Sequence, residues 1–226
     1  MIESLEFREL AMSFDDHSLF AGINFQFPMD SVVCFCGELG SGRSTVLQIL
    51  AGLILPSDGS YLINSRAVEE MSFEEFLSFR LKIGYAFDLG GLLNNRSLLD
   101  NLTLPLLYHR LFLPAEAEEW ALQFLEEFQL QDLRHKRPSF VSPNVRKLVV
   151  LLRSLIHRPE VLLLDDPATN LRDEQILKFF DLVERHRQKE NLRHIFLTDL
   201  EESFRPPGRV DVDINAFRFH AIKGAA

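Results

Sequence analysis

The chain is poor in the features that place a protein by composition alone. Two cysteines, Cys34 and Cys36, occur in 226 residues, too few for a disulfide scaffold. They alternate on one apolar segment and are read as two small apolar fillers in a reducing compartment, with a metal site or a redox pair as the alternatives. No run approaches the roughly 18 consecutive apolar residues of a membrane-spanning helix. Positive charge is scarce: 24 Lys and Arg stand against 33 Asp and Glu, a net charge of -9. That balance argues against a nucleic-acid partner held by a basic face. Met1–Glu6 has neither the basic start nor the apolar core of a secretion signal, so a cytoplasmic location is expected. What is abundant is phenylalanine, 20 residues of it, in a chain 46% hydrophobic and 25% charged. Such a chain can bury a sizeable core as a single domain over 1–226, with aromatics to spare for an apolar contact surface.

One stretch carries chemistry. Gly37-Glu38-Leu39-Gly40-Ser41-Gly42-Arg43-Ser44 matches the phosphate-binding pattern G-x-x-x-x-G-K-[ST] except that Arg43 stands where lysine is expected. The apolar segment 31–36 before it reads as a buried strand, and 45–50 after it as the start of a helix. A glycine-rich turn from strand to helix aims backbone N–H groups and a helix N-terminus at one point, which suits an anionic phosphate. Gly37, Gly40, Ser41, Gly42, Arg43, Ser44 and Thr45 are therefore candidate nucleotide-binding residues, and the Ser44 hydroxyl a candidate Mg²⁺ ligand.

Around this loop the pattern predicts strands over 2–12 and 22–28, joined by a turn at 14–18. Phe14 in that turn either stacks on a purine or plugs the turn from below. Further strands are expected at 59–64, 81–88, 160–167 and 194–198, with helices at 72–80, 98–113, 115–128, 143–157 and 174–190. The stretch 92–157 reads as a helical lobe inserted in an α/β core. A weak strand at 210–214 lies in a tail, 206–226, read as peripheral. Val161–Leu164 is apolar without interruption, as a parallel strand buried on both faces is. It ends in Asp165 and Asp166. Two acids after a strand can simply cap the next turn; paired with a phosphate loop, Asp165 becomes the Mg²⁺ partner and Asp166 the candidate base that activates water.

With these motifs in place, residues 3–205 resemble the nucleotide-binding subunit of an ABC transporter. The resemblance implies a P-loop NTPase core, a mostly parallel sheet with flanking helices and an antiparallel edge sheet, holding ATP and Mg²⁺. Phe14 falls where that family stacks adenine. Asp88 falls where it carries a glutamine near Mg²⁺, which adds a third carboxylate and makes Asp88 a candidate metal residue with Ser44 and Asp165; 138–145 falls on its signature segment, with Ser142 toward the γ-phosphate held by a second subunit. Segments 83–93 and 100–106 are similar to the MCE-linked phospholipid transporters of Gram-negative envelopes. The implied partners are an integral-membrane permease docked around Asp88–Leu113, a second nucleotide-binding subunit, identical or not, and a lipid-binding MCE subunit. The implied place is the cytoplasmic face of the inner membrane. Departures cluster where the family does its chemistry: Arg43, Asp88, Pro143, Asn144, Arg172, an Asp166 one methylene shorter than the usual glutamate, and Asp199 where a histidine is usual. Proline has no N–H to donate, and displacing a catalytic group by about 1 Å costs on the order of 10²-fold in rate. Weak ATP hydrolysis is the expectation. An active though atypical ATPase, and a structural subunit that no longer binds nucleotide, are the alternatives.

Overall fold

The computed structural model describes residues 1–14, 17–88, 91–198, 209–214 and 218–221, the side chains of His17 and 218–221 excepted. Strands β1 (Leu5–Phe14), β2 (His17–Gln26), β3 (Val32–Cys36), β4 (Asp58–Ile63), β5 (Arg66–Ala67), β6 (Ile83–Ala86), β7 (Val161–Leu164), β8 (His194–Thr198), β9 (Arg209–Asp213) and β10 (Arg218–Ala221) form two sheets. Helices α1 (Arg43–Leu50), α2 (Phe73–Arg80), α3 (Leu98–Tyr108), α4 (Pro114–Glu127), α5 (Pro143–Leu155) and α6 (Asp173–Lys189) pack around them. The smaller sheet is antiparallel, in the order β2-β1-β4-β5; the larger runs β10-β9-β3-β8-β7-β6. In the larger sheet every pairing is parallel except that of β10 with β9.

The expected α/β core with an antiparallel edge sheet is what forms. Both faces of β3 are buried, Val33 and Phe35 toward the antiparallel sheet and Val32 and Cys34 toward the helical side. The first of these two cores is aromatic. Phe7 and Phe27 meet edge to face at 4.8 Å, Phe25 and Phe27 at 4.9 Å, and Phe35 stacks on Phe196 at 6.2 Å. Edge-to-face and offset pairs of this kind add about 1 kcal/mol each beyond the area they bury. Much of the phenylalanine surplus is thus spent inside; among the described residues Phe14, Phe73 and Phe140 are exposed.

The helical segments lie in sequence between β6 and β7, which are neighbours in the sheet. Helix α5 lies close against β6 because Gly84 has no side chain: a Cβ there would fall 1.9 Å from the Ser154 carbonyl oxygen. Helix α3 stops at Tyr108, short of the expected Leu113. Arg110 turns left-handed at φ 54°, and the Leu111 N–H closes back on the Leu106 carbonyl at 2.8 Å, a Schellman-type end that halts the helix.

The tail is a correction. Residues 209–213 are not peripheral: β9 pairs in register with β3, Val33 opposite Val210 and Phe35 opposite Val212. The Ile214 N–H bonds the Cys36 carbonyl at 3.0 Å. Asp211 is paired with the buried Arg209 two residues earlier on the same strand.

Candidate nucleotide-binding site

The parallel strands deliver the candidate residues to one edge, at their carboxyl ends, where open α/β sheets bind ligands. β3 ends at the glycine-rich loop, β6 leads to Asp88, β7 to Asp165 and Asp166, and β8 ends on Thr198. Between them is a cleft of about 250 Å³ lined by Gly40, Gly42, Arg43, Ser44, Thr45, Asp88, Asp165, Asp166 and Thr198.

The loop is built for close approach. Gly42 precedes α1 at φ 92°, and a Cβ on it would lie 2.6 Å from the Phe20 ring, so no other residue fits without displacing the core. Among the described residues no side chain caps the start of α1 and no acid lies in its first turn, an end whose N–H groups and dipole favour an anion. The Ser41 hydroxyl is buried and has no hydrogen-bond partner among the described residues. It lies beside Gly37 and not in the cleft lining, and a buried hydroxyl in that state costs about 1–3 kcal/mol. Arg43, the first residue of α1, is buried in the wall of the cleft.

Ser44 and Asp165 meet, the hydroxyl donating to Oδ1 at 2.9 Å. A hydroxyl and a carboxylate at one point are hard oxygen donors of the kind Mg²⁺ takes alongside phosphate oxygens. Thr198 donates to the same Oδ1 at 2.8 Å, and its oxygen accepts the Asp166 N–H at 2.9 Å. Burial pushes the Asp165 carboxyl above its ordinary range, against the downward pull of the Thr198 and Ser44 hydroxyls. Asp166 sits at φ 44°, buried, with its Oδ2 accepting from the Thr169 hydroxyl. Lys147 of α5 reaches in from below. Its ammonium, 4% exposed, donates to the backbone carbonyl of Asp165 at 3.1 Å and of Asp88 at 3.2 Å, and pairs with Asp88 Oδ1 at 3.4 Å.

Phe14 and Ser142 do not line this cleft. Phe14 is at the end of β1, 48% exposed. Ser142 begins α5 and is exposed, its hydroxyl turned to the Asn144 side chain. Asp199 lies outside the described residues. Thr198, Thr169 and Lys147 were missed as site residues by reading the sequence. None of the three left a signal in the chain: Lys147 follows Arg146 at the edge of the apolar run Leu148–Leu152.

The comparisons with known proteins agree with this geometry. The family profile described as ABC transporter matches residues 20–169. The chain belongs to that family. It is 30% identical over 183 residues to the lipoprotein-releasing system ATP-binding protein LolD of Buchnera aphidicola subsp. Acyrthosiphon pisum, covering 80% of each chain. It is 31% identical over 163 residues to the cell division ATP-binding protein FtsE of Haemophilus influenzae, 72% of this chain and 74% of that one. The solved dimeric ATP-binding cassette MJ0796, bound to ADP and Pi, superposes with a TM-score of 0.85 over 98% of this chain and 100% of its own, at 20% identity. That likeness shows the fold. As an ABC-family subunit, the chain has the P-loop NTPase architecture that the loop and acids require.

Proposed function

We propose that the cleft binds ATP with Mg²⁺, that the chain acts as the nucleotide-binding subunit of a membrane transporter for lipid or lipid-linked cargo, and that its own hydrolysis is slow. The observation that carries the binding reading is the meeting of Ser44 and Asp165 beside the uncapped end of α1. Gly40, Ser41 and Gly42 would take the phosphates, Ser44 and Asp165 the metal, and Phe14 the base. Bound Mg²⁺ would neutralise charge developing on the phosphates. Ser142 is exposed at the start of α5, which suits a γ-phosphate held by a second subunit of the same kind.

Slow turnover rests on the residues at the reaction point. Arginine at 43 replaces a compact ammonium with a longer planar fork. The Asp166 carboxylate is short and engaged by Thr169. Pro143 removes one donor from the start of α5.

The permease would dock on a groove of about 310 Å³ between α2, α3 and α5, lined by Leu77, Arg80, Phe87, Pro105, His109 and Arg153. Leu104, Leu107, Tyr108 and Leu111 beside it are exposed, within the Asp88–Leu113 region expected for this contact. Among the described residues no helix is long and apolar enough to cross a membrane. In this reading the membrane-spanning part is the permease's, and this subunit would sit on the cytoplasmic face. The cargo class is supported by the LolD relatives, whose system releases lipoproteins; if the resemblance of segments 83–93 and 100–106 to MCE-linked transporters holds, a lipid-binding MCE subunit would be the further partner. The test is steady-state turnover by the purified chain. Rates near background are expected, with Arg43→Lys alone restoring none; robust turnover by the wild-type chain refutes the slow-hydrolysis reading. If the permease raises the rate, Asp166→Asn abolishes the increase.

A further inference from the structure

Lys147 is out of place by composition and fully provided for by geometry. Lysine is almost never fully buried unless paired. Here Leu148, Val149, Val150, Leu151 and Leu152 follow it into the core. Three acceptors surround its ammonium, the Asp88 carbonyl, the Asp88 carboxylate and the Asp165 carbonyl, which matches the three donors that group carries. Asp88, Asp165 and Asp166 all line the nucleotide cleft. A bound metal would otherwise be drawn to Asp88 as well as to Asp165.

We infer that Lys147 is a positioning residue: a built-in cation that holds the Asp88 carboxylate back from the metal, leaving Ser44 and Asp165 as the side-chain metal ligands. This rests on the reading of the cleft as a nucleotide–Mg²⁺ site. Asp88 and Lys147 form a charge-compensated pair, so the carboxylate that looks like a third metal ligand is already taken. The competing account makes Lys147 a strut, tying α5 to the strand ends with no influence on metal affinity.

Mn²⁺ binding followed by electron paramagnetic resonance, with and without ATP, separates the two. Lys147→Gln frees Asp88 and removes a unit charge close to the metal, so Mn²⁺ affinity without nucleotide rises about tenfold. Lys147→Gln combined with Asp88→Asn returns it to within about twofold of wild type, since the two neutral side chains restore the balance. A strut predicts no gain in affinity for the single variant. Should Lys147→Gln be too unstable to titrate, recovery of the fold on adding Asp88→Asn supports the pair, and failure to recover overturns it. Wild type that binds Mn–ATP while a folded Lys147→Gln binds Mn²⁺ no more tightly overturns this inference alone. Wild type that binds neither Mn²⁺ nor Mn–ATP overturns the site reading together with it.

Discussion

Removing one methyl-sized polar group at Thr198 tests how the acids are held. Thr198 is 3% exposed, and its hydroxyl serves two neighbours at once, donating to Asp165 Oδ1 at 2.8 Å and accepting the Asp166 N–H at 2.9 Å. Valine has the same shape and neither function. Losing a hydrogen bond to a charged acceptor costs about 1.5–3 kcal/mol, and orphaning a buried N–H about 1–3 kcal/mol. The apolar methyl recovers part of that, so Thr198→Val should lower stability by about 3 kcal/mol. Thr198→Ser keeps both hydrogen bonds and loses only a methyl, a cost of about 1 kcal/mol. Urea unfolding of the two variants without ligand gives the comparison directly. Mg²⁺-dependent nucleotide affinity should follow the same order, because the Thr198 donor is the largest influence holding the Asp165 carboxyl down against its burial. Equal stability of the valine and serine variants, with equal affinity, would refute the claim that the β8 end positions the metal-binding acid.

Three other outcomes are expected. Asp165→Asn keeps an oxygen for Ser44 and Thr198 while removing a buried charge. The folded carboxyl lies above its unfolded value, so its ionisation disfavours folding at neutral pH and that cost vanishes as pH falls; the ligand-free variant should be more stable than wild type at pH 7.5 and lose that advantage at low pH, with Mg²⁺-dependent ATP binding lost in a titration. Burial holds the His157 imidazole down at about 4. A depressed histidine means the unfolded chain binds its proton first, so stability falls as pH drops through the unfolded value. The loss between pH 7 and pH 5 is about 2 kcal/mol, and His157→Gln should flatten that part of the pH–stability curve. Gly42→Ala forces a Cβ onto the Phe20 ring at a left-handed φ and should cost about 3 kcal/mol in thermal or urea unfolding; a loss below the roughly 1 kcal/mol of φ strain alone would mean the loop is looser than its contacts imply.

How far the site could be read from the chain follows from how local each part is. The glycine loop is contiguous, so the placing of Gly40 and of Gly42, Arg43, Ser44 and Thr45 at the cleft was legible from spacing alone. Asp165 and Asp166 were legible because an unbroken apolar strand announces where it ends. Thr198 and Lys147 reach the site only through tertiary neighbours, β8 beside β7 and α5 against β6, which no spacing reveals. The β9 segment was misread for a related reason. Its place in the larger sheet is set by pairing with β3, Val33 opposite Val210 and Phe35 opposite Val212, which no local pattern shows. The aromatic surplus pointed both inward and outward, and packing sends Phe7, Phe25, Phe27, Phe35 and Phe196 inward.

The central claim is that the carboxyl edge of the larger sheet, from Ser41 to Asp165, is a working ATP–Mg²⁺ site. Calorimetric titration of ATP into the purified chain, with and without Mg²⁺ and with Ser44→Ala alongside, tests it most directly. Saturable binding that Mg²⁺ strengthens, and that Ser44→Ala reduces to the Mg²⁺-free level, is the predicted result. No heat and no thermal stabilisation at millimolar ATP–Mg²⁺ would contradict it and leave a subunit that keeps the fold without the nucleotide.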